Sequence, residues 1–259
     1  MPGAARLAVE IAVQDAGGAG RAIAAGADRV ELCGALGVGW LTPSAGAVEA
    51  AVAAAEDAGR PGAVHVLVRP RPGGFVYSAE EVRTASRDIE LLRHRGVAGF
   101  VVGALDADGR IDRRALERWI DAADGAPLAF HRAIDASASP LDCLDALLGL
   151  PGLPVGRVLT SGAATRSIDG APVLRELVQR SDGRIEVMAG GGVAVAHIGA
   201  LAGLGIDAVH LSARRPARGG GPSGPGGGDD AFDETDATVV AAAVSAARGF
   251  ESRRGAASR

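Results

Sequence analysis

The sequence predicts an α/β fold, a single (β/α)8 barrel of the TIM type spanning residues 1–259. Three observations lead there. Eight strand-like runs alternate with eight helical candidates, and strict alternation means parallel strands joined by helical crossovers. The length of 259 residues matches the ~250 typical of an eight-unit barrel. Polar residues sit at the centres of the strands, whereas an open sheet covered on both faces favours continuous apolar ones.

The strands are expected at LAVEIAV (7–13), RVELC (29–33), AVHVLVRP (63–70), GFVVGAL (99–105), PLAFHRAI (127–134), RVLTSG (157–162), IEVMAGG (185–191) and AVHLSA (208–213). An alanine-rich helix, 16–25, follows the first strand. The second helix, 43–58, places Pro43 at its first position behind Thr42 as N-cap. The third, 78–95, opens Ser-x-x-Glu, a capping box in which Ser78 caps and Glu81 reaches back. The fourth, 112–123, aligns Leu116, Trp119 and Ile120 on one face. Segments 140–150, 171–180, 195–204 and 234–250 complete the helical set. One stretch breaks the alternation. Residues 213–233, and 216–230 in particular, are rich in glycine and proline and read as a flexible insertion or a mobile lid over the C-terminal face.

Composition narrows the function. The chain is 47% hydrophobic and 22% charged, ordinary for a globular protein. With 3% aromatic residues and a net charge of −4, it lacks the basic, aromatic-interleaved face of a nucleic-acid binder. All 27 basic residues are arginine. Without lysine, neither a Schiff-base mechanism nor a Walker-type phosphate loop is available. Two cysteines make no disulfide framework. The N-terminal MPGAARLAVEIAVQD lacks a signal-peptide core, and no apolar run reaches the ~18 residues of a membrane span. A reduced, cytoplasmic protein with no membrane partner is expected.

Residues two apart on a strand share a face. That rule aligns Glu10, Ala12 and Gln14 on strand one, and Glu31 with Cys33 on strand two. It aligns His65, Leu67 and Arg69 on strand three. If strand five runs far enough, it aligns Ala129, His131 and Asp135. Glu186 and Met188 fall together on strand seven, and His210 and Ser212 on strand eight. Charged side chains are rarely buried without partners. A salt bridge of Arg69 with Glu10 or Glu31 would explain any one of them singly. Their convergence on one axis points instead to a site, since barrels assemble sites from the ends of several strands. The candidates for acid–base chemistry are Glu10, Glu31, His65, Arg69, His131, Asp135 and His210.

A second signal is MAGGGV (188–193) leading into a helix. Gly190, Gly191 and Gly192, with Ser212, would bring backbone N–H groups close to a phosphate. Glu10, Glu31, His65, His131 and His210 also have the chemistry of ligands for a divalent ion, although no short ligand spacing supports that. His94, His197 and Cys143 read as helix residues without special chemistry.

The stretches ELCGALGVGWLTPS, VHVLVRPRPGGFVYS, GALDADGRID, AFHRAID, RVLTSG, MAGGGV and VHLSA resemble, in order and spacing, the CutC family, from about residue 7 to 213. The resemblance implies a TIM-type barrel, a homodimer or higher homo-oligomer, and a role in copper homeostasis. It also implies copper(I) ligation by two cysteines, one on each of the first two strands. The second matches Cys33. The first falls at Ala12, leaving Met188 as the only interior thioether. The family's loop before Leu-Thr-Pro-Ser is here Gly37 to Trp40. Its Gly-Gly-Asp-Phe is Pro72 to Phe75, and its MAGSG is MAGGG.

Two classes of function follow. One is a copper-handling protein with Cys33 as the soft ligand. The other is an enzyme of isomerase, lyase or hydrolase type acting on a small polar or phosphorylated metabolite.

Overall fold

The computed structural model describes residues 6–218 and 231–257, apart from the side chains of residues 38 and 251–257. Eight parallel strands close into a barrel: β1 Ala8–Val13, β2 Arg29–Leu32, β3 Val64–Leu67, β4 Gly99–Val102, β5 Leu128–Phe130, β6 Val155–Thr160, β7 Glu186–Gly190 and β8 Ala208–Leu211. Each strand pairs with its neighbour in sequence, and β8 pairs back to β1. The order is the one forced by right-handed strand–helix–strand crossovers that never leave the sheet. The expected fold class is therefore the observed one.

The helices are α1 Ala16–Ala24, α2 Ala45–Asp57, α3 Ala79–Leu92, α4 Arg113–Ala123, α5 Pro140–Leu148, α6 Ala171–Ser181, α7 Ile198–Ala202 and α8 Ala237–Ala257. The starts of α1 to α5 are set by side chains that satisfy free N–H groups of the first turn. Asp15 caps α1, Asp112 caps α4 and Ser139 caps α5 with Pro140 behind it. The capping box of Ser78 and Glu81 forms as expected at α3. The expected start of α2 is corrected. Ser44, not Thr42, is its N-cap. The Thr42 hydroxyl instead accepts the N–H of Arg69 at 2.9 Å, because the chain at Leu41 still bridges to Gly34 and runs extended beside the end of β3.

Alternation separates two cores. Val9, Ile11, Val30, Leu32, Val64, Val66, Phe100, Val102, Phe130, Val187 and Val209 point outward into one continuous core beneath the helices. Trp119 of α4 is fully buried there and donates its indole N–H to the carbonyl of Val82 at 3.2 Å. Truncating such a residue to alanine typically costs about 3–5 kcal/mol. The opposite parity points into the barrel, where two small apolar clusters form. One holds Cys33, Leu67, Val101 and Ala129; the other holds Leu159, Met188 and Ala208.

Two further strands, β9 Arg214–Arg218 and β10 Ala231–Thr235, pair antiparallel within the Gly/Pro-rich stretch. The flexible or lid-like segment expected at 216–230 falls mostly at 219–230, outside the described residues. Helix α8 starts at Ala237 rather than at residue 234, since Glu234 and Thr235 belong to that ribbon.

Candidate functional site

The barrel interior is built in tiers. At its base, β1, β2, β6 and β7 direct Glu10, Arg29, Arg157 and Glu186 to one point. Arg29 Nε lies 2.6 Å from Glu10 Oε2, and its terminal nitrogen pairs with Glu186. Arg157 lies 3.0 Å from Glu186 and 3.7 Å from Glu10. The expected pairing of Arg69 with Glu10 or Glu31 is thus corrected. Arg69 leaves the strand end at the opposite rim, where it donates to the carbonyls of Gly39 and Gly73 and lies 4.9 Å over the Phe75 ring.

Above the base stands a line of three buried side chains. His210 Nδ1 is 2.8 Å from Glu10 Oε1, and His210 Nε2 is 3.5 Å from Glu31 Oε2. Burial alone would raise the pKa of Glu10, but the hydrogen bond from His210 and the charges of Arg29 and Arg157 hold its carboxyl far below the usual range. Glu31 has burial without such support. Burial raises its pKa to about 7, only partly offset by His210 and reinforced by Glu10. Burial works against a charged His210, yet its bond to Glu10 and the charge of Glu31 raise its pKa above the ordinary value. An ionised Glu10 therefore fixes the Nδ1–H tautomer of His210 and turns its Nε2 to Glu31. That pair can hold and exchange one proton near neutrality. One ligand atom from each of Glu10, Glu31 and His210 also lies within 4.8 Å of the others, a carboxylate–imidazole set suited to a borderline divalent ion.

Glu31 and His210 form the floor of a cavity of about 590 Å³ that opens at the C-terminal end of the strands. Trp40 and Phe75 wall it, and Arg69, His131, Arg132, Gly191, Gly192 and Ser212 rim it. Burial, with Arg69 adding, lowers the His131 pKa to about 3, so the ring is neutral. Arg132 Nε is 2.8 Å from Asp135, and its Nη2 is 3.0 Å from Ser161 Oγ. The guanidinium packs on Gly191, where an added Cβ would lie 2.9 Å from Arg132 Cζ. Gly191 has φ of +98°, so glycine is required there on both counts.

Several sequence expectations shift. Asp135 is not on strand five. The strand ends at Phe130, and His131 caps a 3-10 turn over Arg132–Ala136. The Asp135 carboxylate is engaged by Thr160 at 2.6 Å, by the N–H groups of Ser161 and Ala163, and by Arg132, so it braces the loop after β6. Gly190 packs on Leu159, where an added Cβ would lie 2.3 Å from a methyl carbon. Only Gly191 and Gly192 reach the cavity. His65 stands below it, its Nδ1 buried without a partner among the described residues, and burial lowers its pKa to about 4. Sequence reasoning missed Arg29, Arg157, Arg132, Trp40 and Phe75. Parity carried a signal for the first two: Arg29 sits two before Glu31, and Arg157 two before Leu159. Trp40 carried none. It sits at φ of +60°, a strained backbone for a bulky residue, which turns its ring toward His210 at 6.1 Å.

The sequence profile described as CutC family matches residues 7–215. The chain belongs to the CutC family. A CutC family protein of Mesorhizobium japonicum is 39% identical over 250 residues, covering 93% of this chain and 94% of the relative. One of Rhizobium meliloti is 41% identical over 208 residues, covering 80% and 81%. A CutC crystal structure from Streptococcus agalactiae, named for copper homeostasis, superposes with a TM-score of 0.73 at 31% identity, covering 80% of this chain and 98% of that one. Among the described residues no helix is long and apolar enough to cross a membrane.

The CutC name invites a test of copper(I) against these residues. Soft thiolates are what that ion takes. Cys33 is fully buried among Leu36, Leu67, Val101 and Ala129, and its thiol meets the carbonyl of Glu31 at 3.8 Å and the Glu31 side chain. Burial, then the charges of Glu31 and Glu10, push its pKa well up, away from the thiolate. Ala12 supplies no ligand, and Met188 packs in the other cluster beside Arg29. In this CutC chain the donors do not fit copper(I).

Proposed function

We propose that this CutC-family chain is an acid–base enzyme acting on a small anionic metabolite at the C-terminal mouth of its barrel. The observation that carries the reading is Glu31, a fully buried carboxyl with a pKa of about 7 on the floor of the cavity. A group poised near neutrality is what proton transfer in isomerase, lyase or hydrolase chemistry needs. Glu31 serves as base and acid. His210 relays its proton, and Glu10 orients His210 and stabilises its charged form. Arg69, Arg132 and the Gly191–Gly192 loop receive the substrate's anionic group, with Ser212 at its edge. Asp135 positions Arg132. Trp40 and Phe75 keep water from the floor, and the strain at Trp40 supports a functional reason for its pose.

Copper homeostasis, the role in the name of the Streptococcus agalactiae relative, is the second reading. What favours it here is the convergence of Glu10, Glu31 and His210, which suits a divalent ion rather than copper(I) at Cys33. The free, buried Cys33 and Cys143 agree with a cytoplasmic setting, and the homo-oligomer implied by the family is read by light scattering.

One experiment separates the readings. A panel of small phosphorylated and carboxylated metabolites is screened by thermal shift, and the hits are followed for turnover by NMR. We expect turnover that Glu31→Gln abolishes while binding persists; turnover that survives Glu31→Gln overturns the enzyme reading. In parallel, the reduced protein and Cys33→Ser are titrated with copper(I) against a chelator. Weak uptake indifferent to the variant is expected. Stoichiometric tight uptake lost in Cys33→Ser would restore the thiol as a ligand.

A further inference from the structure

We infer that His131 is the oxygen-polarising group of this site, and that its substrate class is a small anionic carbonyl compound enolised between His131 and Glu31. The inference rests on the acid–base reading above and deepens it. The tautomer of the His131 ring is set by the backbone. His131 Nδ1 accepts the N–H of Ala133 at 3.1 Å. The proton of the neutral ring is therefore on Nε2. His131 is 5% exposed, and its Nε2 has no hydrogen-bond partner among the described residues. A buried donor left unmade costs about 1–3 kcal/mol, and here the ring lines the same cavity as Glu31.

The ring is also held in place. Gly103 gives it room, since a Cβ there would lie 2.4 Å from Nδ1. Phe75 and Phe130 flank it at 5.0 and 6.2 Å between ring centroids. The division of labour then follows from charge. Permanent negative charge on a substrate is met by the guanidinium groups of Arg69 and Arg132. A fixed, neutral N–H suits an oxygen that is uncharged in the ground state and gains charge in the transition state. A carbonyl oxygen beside an acidic C–H is such an oxygen.

The step balances within the protein and substrate. The Glu31 carboxylate takes a proton from the carbon next to the carbonyl. The C–H electron pair becomes the C=C bond, and the carbonyl π pair moves onto oxygen. His131 keeps its proton and donates a hydrogen bond to that oxygen. Return of the proton from Glu31 to the former carbonyl carbon, with the proton of the substrate's neighbouring hydroxyl passing to the enolate oxygen, completes an isomerisation of a 2-hydroxy carbonyl compound. Return to the original carbon from the same face regenerates the substrate. No external oxidant, reductant or cofactor enters.

Oxalate, a planar dianion resembling the enolate of a 2-oxo acid, is the probe, with inorganic phosphate as control. Titration calorimetry compares wild type with His131→Phe and His131→Gln. Oxalate affinity is expected to fall about tenfold or more in His131→Phe, the effect of losing about 1.4 kcal/mol. Phosphate affinity stays unchanged, and His131→Gln, which keeps an N–H donor, retains most of the oxalate binding. In wild-type protein labelled with ¹⁵N-histidine, the His131 Nε2–H resonance shifts with oxalate and not with phosphate. That measurement stands even if the variants fail to fold. Equal oxalate affinity in a folded His131→Phe, no oxalate binding by wild type, or an unmoved resonance overturns the inference. Each of these leaves the acid–base reading to the Glu31→Gln turnover assay.

Discussion

Glu31→Gln tests the site through stability, with no substrate needed. Glutamine keeps the shape of the side chain and cannot ionise. In the wild type, burial raises the Glu31 pKa from 4.5 to about 7. Between those two values the unfolded chain has lost this proton and the folded chain keeps it. Stability from Glu31 is therefore largest below pH 4.5 and declines as pH rises through about 7. At about 1.4 kcal/mol for each pKa unit, the decline amounts to about 3 kcal/mol. Burial holds His65 and His131 neutral, at about 4 and about 3, and they act in the opposite direction. Their stabilisation grows as pH rises toward their ordinary value, equally in both proteins, and cancels in the comparison. Urea unfolding followed by circular dichroism at about pH 4.5 and about pH 8 gives the difference. We expect Glu31→Gln to gain about 3 kcal/mol on the wild type between the two. His210 shares the proton, so the midpoint belongs to the pair. A difference that does not change with pH, or that favours the wild type at the higher value, refutes the argument, because Glu31 would then ionise like a surface carboxylate.

Two further outcomes follow from the same geometry. Arg29→Met removes the charge 2.6 Å from Glu10 and is expected to cost about 3–5 kcal/mol in urea unfolding, as for any buried ion pair broken from one side. The double change with Glu10→Gln is expected to cost less than the sum of the two single changes. Gly191→Ala places a methyl group at φ of +98° and 2.9 Å from Arg132 Cζ. It is expected to cost about 1–3 kcal/mol and to weaken phosphate binding by calorimetry, whereas Gly46→Ala, whose Cβ meets nothing within 4 Å, leaves phosphate binding intact.

Much of the site was legible because strand parity is local. Glu10, Glu31 and His210 all face inward where alternation puts them. Parity says which face a side chain takes but not how high it stands. Arg69 and Glu10 share the inward face at opposite ends of the barrel, so their expected pairing fails and Arg29 and Arg157 take the role. His65 and Cys33 share that face too, yet one lies below the cavity and the other in an apolar cluster. Asp135 was named as a candidate but placed on strand five, where it does not lie, because alternation stops applying once the chain turns at His131.

The sequence alone determined the order of strands and helices, most of the helix starts, and the inward set of polar residues. Each of these depends on a few neighbouring residues, through alternation, capping and turn sterics. Only the tertiary structure decided which inward residues meet. Strands in a barrel are tilted and staggered, so residues far apart in the chain share a level only once the sheet closes. Closure also excludes water, and it is burial beside Glu10 that lifts the pKa of Glu31 toward neutrality.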